Sequence, residues 1–567
     1  MNGKAIKTGK KAKQLNPSNH AQVVCEYHEA DEAIIADAIE GSLKAKEAWE
    51  YMPWSERASI GLKIADLIAN KYRYKLLAAT MIGQGKNAWQ AEIDAGAEIC
   101  DFLRFGVKYI DDMYQIQPPR NAPAVWNRTE YRALEGFVLA VTPFNFTAIA
   151  GNLPMVPILV GNVVVWKPSP MSVYSNYLLY QIFEEAGVPP GVLQFVPGPA
   201  EDIVGAAIKH REFAGLHFTG STQVFRMLWR NISNNLEIYR SYPRIVGETG
   251  GKNFHFVHKS ANIDAVVNQS IRAAYEYAGQ KCSALGRLYV PKSLWEGGLK
   301  NKLIDAVRTI SVGPAHEFRH FVGPVIAKHS FEKITRLIDE AKAAGGEVLV
   351  GGTADDSKGY YIQPTVIETK DPKSVTMVQE IFGPVITVYA YPDDDVDGTC
   401  KLVDETTQYA LTGSIFASDR YALTHISNLL RNASGMMYFN DKCTGAVVGQ
   451  QPFGGARGSG TNDKAGSMNI CAYSVLTSLP LRLSKDNQGV NARSFDVPLS
   501  LECRIMHLRR TKYLSIVSRW RFFIEEPLES NTEFGCIVAA QNIGYEAAFS
   551  LYLDHFKCPA KHATVHI

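Results

Sequence analysis

Between residues 30 and 49, apolar side chains recur at helical spacing: Ile35, Ala38, Ile39 and Leu43 share one face, which predicts a helix. The same spacing runs through 60–68, 76–81 and 91–105. The pattern then changes. Short unbroken apolar runs at 136–141, 163–166, 193–196 and 216–218 are separated by stretches of helical length at 173–186 and 202–209. Unbroken apolar runs predict strands buried on both faces, and strands alternating with helices predict parallel βαβ units. The polar stretch 231–242 is expected to close this block. A second alternation follows, with helices at 265–278, 299–310 and 331–344 and strands at 288–290, 385–389 and 414–416. The expectation is two α/β lobes in succession, without internal repeats.

The most apolar stretch, 134–166, is interrupted by Pro143, Asn145, Asn152, Pro154, Pro157 and Asn162. A membrane span needs about 20 predominantly apolar residues, so this region reads as buried strands and loops, not a span. Residues 1–20 carry Lys4, Lys7, Lys10, Lys11 and Lys13 without an apolar core. They read as a solvated basic tail, not a secretory signal, and lack the Arg-rich pattern of a mitochondrial presequence. The 567 residues are 46% hydrophobic and 20% charged, which excludes wholesale disorder. Lys+Arg 59 against Asp+Glu 57 leaves a net +2, so no global field points to nucleic acid or an anionic membrane. Nine scattered cysteines make no disulfide framework, and no C-x-x-C pair offers a zinc site.

Several motifs lose their force in context. His316-Glu-Phe-Arg-His320 matches H-E-x-x-H, but that site needs a helix, and Pro314 and Pro324 bracket it as a loop. No metal is expected. His562 and His566 repeat the spacing without the Glu and carry nothing. Gly83-Gln-Gly-Lys-Asn-Ala88 fits G-x-G-x-x-A but follows a helical segment, so it reads as a helix–helix turn. Gly247-Glu-Thr-Gly-Gly-Lys252 is a Walker loop one residue short, with Asn253 where a hydroxyl should hold magnesium. Phe218-Thr-Gly-Ser-Thr222 is the better nucleotide candidate: it follows a strand and opens a helix, so its N–H groups can face a phosphate. Cys282 sits between Lys281 and Ser283 at an element boundary, where a neighbouring cation would lower a thiol pKa. Most cysteines are packing residues, and no obvious histidine partner suggests a cysteine protease. Glu248 in a Gly-rich turn and Asn145 at a strand end read, taken alone, as a solvated carboxylate and a capping amide.

Together the motifs carry more. Thr142-Pro-Phe-Asn-Phe146, Val164-Val-Trp-Lys-Pro-Ser169, Phe218-Thr-Gly-Ser221, Gly247-Glu-Thr-Gly-Gly251, Gly279-Gln-Lys-Cys282, Glu380-Ile-Phe-Gly-Pro384 and Gln451-Pro-Phe-Gly-Gly455 occur in the order of the aldehyde dehydrogenase superfamily, which the sequence resembles. Gly83-Gln-Gly-Lys-Asn87, Gln90-Ala-Glu-Ile-Asp94, Gly251-Lys-Asn-Phe-His-Phe256, Val448-Gly-Gln-Gln-Pro-Phe-Gly-Gly-Ala-Arg457 and Gly460-Thr-Asn-Asp-Lys464 narrow the resemblance. They are similar to the branch that oxidises glutamate γ-semialdehyde, the open form of Δ1-pyrroline-5-carboxylate, in proline breakdown. The resemblance spans roughly Leu15 to Lys464.

The resemblance implies an α/β fold with a Rossmann-type NAD-binding lobe, an α/β catalytic lobe and a small bridging or oligomerisation segment. It divides the chain into a tail 1–20, an NAD-binding domain 21–249 with the bridge about 112–134, a catalytic domain 250–445, a return segment 446–464 and an unrecognised tail 465–567. It implies Cys282 as nucleophile, Asn145 and the Cys282 N–H as oxyanion donors, and Glu248 as the base that activates water. Glu248 also argues against a CoA-acylating relative, which needs no such base. NAD is the implied cofactor. Lys167 would lie near the adenosine ribose and Gly220 and Ser221 near the pyrophosphate, with Thr142, Pro143, Phe144, Pro168, Ser169, Thr222 and Val224 as further implied cofactor-binding residues. Glu380 would bind the nicotinamide ribose, with Phe382 beside it. For the substrate, Ser283 with the Gly445 and Ala446 N–H groups would anchor the carboxylate. Phe146 and Phe453 would line the aliphatic part, with Glu98 and Lys281 at the pocket. A homodimer, functional coupling to proline dehydrogenase and the mitochondrial matrix are further implications.

Four departures stand out. Pro170 occupies a position where many NAD-using relatives carry Glu. Ala446 replaces a usual Ser, which predicts weakened carboxylate binding and leaves a shifted substrate preference as an alternative. Leu285-Gly286 replaces small polar residues after the nucleophile, and Met436-Met437 is unusual before the anchor loop. After Lys464 no motif matches, and the partner-pairing strand of the family is expected to be missing, which would make an unstable or non-catalytic variant. Cys471, Cys503, Cys536 and Cys558 lie in this tail. Its basic-aromatic stretch 504–523 reads as amphipathic or poorly packed in preference to nucleic-acid binding. An alternative terminal exon, retained intron or shifted frame is a further reading of this end, and the N-terminus is shorter than a mitochondrial precursor of the family should be.

Overall fold

Parallel strands must be covered on both faces, and the unbroken apolar runs of the first half meet that requirement. In the computed structural model, which describes residues 1–121, 125–478 and 483–484, five strands form one all-parallel sheet: Phe137–Val141, Val163–Lys167, Leu193–Phe195, Phe213–Thr219 and Arg244–Glu248. In chain order they lie third, second, first, fourth, fifth, so the winding reverses between Phe137–Val141 and Phe213–Thr219. The register sets Val141 level with Lys167 on one side and with Phe218 on the other. The last strand corrects the expectation that the polar stretch 231–242 ends this block, because the chain returns after it to pair beside Phe213–Thr219.

A second correction concerns 134–166. Its middle is the helix Thr147–Leu159, not strands and loops, and Pro154 and Pro157 lie inside it. The helix is apolar all round and almost wholly buried, so its sequence has no periodicity to read. Among the described residues no helix is long and apolar enough to cross a membrane.

The second sheet has seven strands, in the order Glu347–Val350, Thr365–Glu368, Val385–Tyr391, Leu285–Pro291, Asn253–Val257, Thr412–Phe416, Met436–Phe439. All pairs are parallel except the edge strand Glu347–Val350, which runs antiparallel to its neighbour. Separate apolar cores pack on its helices, with Leu288 and Val388 in one and Phe254 and Ile415 in the other. One unit, Met1–Leu483, holds both sheets.

Both expected tails begin as structure. Residues Lys11–Asn16 and Asn19–His28 form an antiparallel hairpin. Gln14 fastens it: its buried amide donates to Gly83 O at 3.1 Å and Met171 O at 2.9 Å and accepts from Tyr174 N at 2.9 Å. At the other end the boundary at Lys464 is too early. The helix Met468–Tyr473 and the strand Val475–Ser478 continue the fold, the strand pairing antiparallel with Glu130–Ala133. Ile470, Cys471 and Val475 are buried in the core of the first sheet. Ile470→Ala is therefore expected to destabilise the protein by ~2–5 kcal/mol, visible as a lowered Tm; an unchanged Tm would contradict this packing. The stretch 504–523 and Cys503, Cys536, Cys558, His562 and His566 lie outside the described residues.

Candidate active site

In an open parallel sheet, ligands bind beyond the strand ends where the winding reverses. Here Thr142, Pro143 and Phe144 follow Phe137–Val141, Lys167, Pro168 and Ser169 end the neighbouring strand, and Gly220, Ser221 and Thr222 follow Phe213–Thr219 on the other side. The sheet thus collects one group of expected cofactor residues along one edge. Ser221 caps the helix Thr222–Ser233 by accepting from Val224 N at 3.3 Å. Thr222 Oγ1 donates to Gly458 O at 3.1 Å. Lys167 is 6% exposed and makes no ion pair among the described residues; burial pushes its ammonium down to about 8. A buried cation without a counter-ion and a helix N-terminus, set on either side of Thr142–Phe144 along one sheet edge, suit a polar, anionic ligand.

Glu380 and Phe382 come from the second sheet's side and reach the same edge: the Phe144 and Phe382 rings meet edge-on, with centroids 5.9 Å apart. Glu380 Oε1 accepts from Gly251 N at 2.9 Å. A Cβ at Gly250 would lie 2.3 Å from Glu380 Oε2, so any side chain there would displace that carboxylate. Burial raises the Glu380 carboxyl above its ordinary value.

The nucleophile follows an unusual bend. Tyr277, Ala278 and Gly279 all have left-handed φ, at 56°, 52° and 66°. Such a conformation costs ~1–3 kcal/mol at each non-glycine position, and a Cβ at Gly279 would strike Gly383 O at 2.3 Å. The bend turns Gln280 so that its carbonyl accepts from Asn145 Nδ2 at 3.0 Å. One amide N–H of Asn145 is thereby held, and the geometry fixes where the second points. Asn253 Nδ2 donates to the Cys282 and Ala284 carbonyls at 2.8 and 2.7 Å, so the loop is gripped at the nucleophile and just after it.

The thiol's electrostatics differ from the expectation. Lys281 does not serve Cys282; its ammonium pairs with Glu276 at 3.3 Å, and Arg272 shares that carboxylate at 3.8 Å. Burial, followed by the Glu248 and Glu380 carboxylates, holds the thiol above its ordinary value, against the pull of the Ser283 and Cys282 backbone N–H groups. Cys282 is set apart by its surroundings, not by resting acidity. Glu248, at the end of Arg244–Glu248, is pushed up to about 8 by burial, opposed by the Gly455 N–H at 3.3 Å and by Lys464. Lys464 is anchored by donating to Gly435 O and Gly454 O, each at 2.8 Å.

Around the thiol, Ser283 Oγ shares a hydrogen bond with Thr444 Oγ1 at 2.7 Å, next to Gly445 (φ 83°) and Ala446. Phe146 lies under the Lys86 ammonium, 4.0 Å from its ring centroid. Burial, followed by Asp94, raises Glu98 to about 8, with Lys86 and Lys281 opposing. Phe453 lies on the return segment, its N–H on Ala465 O at 2.9 Å. Leu285 points into the apolar core of the second sheet. Thr444, Lys464 and Gln280 were not singled out in the sequence, although each sits inside or beside a quoted motif. His255 was missed as well: Cys443 N donates to its Nε2 at 3.2 Å while Nδ1 faces Ser270 Oγ at 3.0 Å, and burial depresses it to about 3, so the neutral ring steadies the loop carrying Thr444. The 316–320 motif forms turns, and no metal-binding cluster of His, Cys, Asp or Glu occurs among the described residues.

Known proteins resemble this chain over most of its length. Residues 5–479 match the aldehyde dehydrogenase family, beyond the limit expected at Lys464. The chain is 60% identical over 470 residues to Delta-1-pyrroline-5-carboxylate dehydrogenase of Agaricus bisporus, covering 83% of this chain and 86% of that protein. It is 54% identical over 479 residues to the mitochondrial Delta-1-pyrroline-5-carboxylate dehydrogenase of Emericella nidulans, covering 83% of each. The crystal structure of Delta-pyrroline-5-carboxylate dehydrogenase from Mycobacterium tuberculosis bound with NAD superimposes with a TM-score of 0.82 at 42% identity, over 88% of this chain and 91% of that one. The chain belongs to the aldehyde dehydrogenase family, on its Δ1-pyrroline-5-carboxylate dehydrogenase branch.

Proposed function

We propose that this enzyme oxidises L-glutamate γ-semialdehyde to L-glutamate with NAD, the second step of proline catabolism. The observation that carries the chemistry is the convergence of three groups: the Cys282 thiol, the Asn145 amide tied to Gln280 O two residues before it, and the Glu248 carboxylate acting on the same thiol. The residues fit the cofactor, since buried Lys167 and the Ser221-capped helix share one edge with Glu380 and Phe382. When bound there, NAD supplies a hydride acceptor. Cys282 attacks the aldehyde carbon as a thiolate, and the free Asn145 N–H with the Cys282 N–H receives the developing oxyanion. After oxidation the acyl group is held as a thioester on Cys282. Glu248 then takes a proton from the attacking water, and glutamate leaves. NADH absorbance tests this: formation with glutamate semialdehyde and little with a simple aliphatic aldehyde is expected, and the reverse preference would overturn it.

The substrate's own charges give the specificity. Ser283, Gly445 and Ala446 lie together and offer donors to its carboxylate, while Phe146 flanks the chain. Ala446 lacks a hydroxyl, and a hydrogen bond to a charged group contributes ~1.5–3 kcal/mol. Ala446→Ser is therefore expected to lower KM for the semialdehyde roughly tenfold or more, with KM for NAD unchanged; an unchanged KM would remove Ala446 from the anchor. Folding of the return segment through Ser478 favours a working enzyme over the unstable variant. The Emericella relative is mitochondrial by name, which supports a mitochondrial compartment for this enzyme, and the matrix is its proposed site.

A further inference from the structure

Phe146 stands at the N-cap of the helix Thr147–Leu159 and has no side-chain acceptor for the first-turn N–H groups. A different element meets them. Asp94 Oδ2 accepts from Thr147 N at 2.9 Å and Oδ1 from Ala148 N at 2.8 Å. Asp94 lies in the π-helical stretch Glu92–Glu98, inserted between Ala88–Ala91 and Ile99–Tyr114; such insertions recur at functional sites. The same Oδ2 takes the Lys86 ammonium at 2.7 Å, the two side chains being 2% and 1% exposed.

Lys86 extends the clamp to the nucleophile loop. Its ammonium lies 4.0 Å from the Phe146 ring centroid and 4.7 Å from that of Tyr277, the first left-handed residue of the bend. Tyr277 Oη donates to Gln84 O at 3.0 Å, and Gln84 Nε2 donates to Thr147 Oγ1 at 2.8 Å. One buried cluster therefore holds the residues after Asn145 and those before Gln280, whose carbonyl orients the Asn145 amide. A buried ion pair contributes little net stability against an apolar replacement, whereas its directed bonds to Thr147 N and Ala148 N fix the position of the chain after Asn145.

We propose that Lys86 and Asp94 are a positioning pair that sets the direction of the free Asn145 N–H relative to Cys282. Neither touches the reacting atoms, and the inference rests on Asn145 being the oxyanion donor. The test is a mutant cycle of Asp94→Asn and Asn145→Ala, measuring kcat, KM for NAD and the rate at which iodoacetamide alkylates Cys282, a reaction that needs no oxyanion donor. A misplacement of ~1 Å can cost roughly a hundredfold. Asp94→Asn is expected to lower kcat at least about tenfold, with alkylation and KM for NAD within about twofold. In the Asn145→Ala background it should lower kcat by less than about twofold. An unchanged kcat, an equal loss in both backgrounds, or a parallel loss of alkylation would overturn the proposal. If Asn145→Ala itself left kcat unchanged, the oxyanion reading would fall first and this inference with it. Should Asp94→Asn fail to fold, Lys86→Gln/Asp94→Asn leaves no unpaired buried charge and is measured in the same cycle.

Discussion

Cys282→Ala is expected to abolish NADH formation from glutamate semialdehyde, a loss on the order of 10⁴-fold or more, as when the nucleophile of a covalent mechanism is removed. Binding of NAD, followed by quenching of protein fluorescence, should survive, because the substitution removes only the thiol and leaves the edge residues Thr142–Phe144, Lys167–Ser169 and Gly220–Thr222 in place. The other described cysteines make the contrast sharp. Cys25 and Cys100 are raised to about 11 and Cys400, Cys443 and Cys471 to about 12, all chiefly by burial. Cys282 is raised as well. Acidity does not single it out; its place beside Asn145 and Glu248 does. Retention of turnover above one part in a hundred would require another nucleophile.

Glu248→Gln should act later in the cycle. Rapid mixing is expected to show a burst of about one NADH per site followed by turnover lowered roughly 10²–10⁴-fold, the usual range for loss of a general base. The wild type should show a matching pH dependence. Because burial raises Glu248 to about 8, its carboxyl is mostly protonated below that pH and cannot accept a proton from water. Steady-state turnover should therefore climb with pH and level off above about 8, while the Gln variant lacks that limb. A rising limb preserved in Glu248→Gln would assign it to another group.

Much of this was written in the sequence. The unbroken apolar runs became parallel strands, and each motif lies at a strand end or loop of the site. What escaped has physical causes. The helix Thr147–Leu159 carries no stripe because every face is covered, and its two prolines imitate loop punctuation. The strand Asn253–Val257 is hidden by Asn253 and His255, polar residues that are satisfied only through partners distant in sequence, such as Cys282 O and Cys443 N. Lys281 beside Cys282 suggested an activating cation, but its partner Glu276 lies across the left-handed bend, where spacing gives no guidance. Asp94 likewise reaches Thr147 only because a π-helical stretch offsets it from the regular spacing.

The path of the chain between the two sheets has a mechanical consequence. Thr249–Lys252 joins the last strand of one sheet to the centre of the other, and the return crossing lies against it, with Thr249 Oγ1 on Gly458 O at 2.7 Å and Gly455 N on Glu248. Base and thiol therefore belong to different sheets of one compact unit, and the two crossings between those sheets meet at the reaction centre itself. The two crossings act as a splice, and the gap between Glu248 and Cys282 is set by the hydrogen bonds that tie one crossing to the other. Substitutions that loosen that splice would register in turnover before they register in melting.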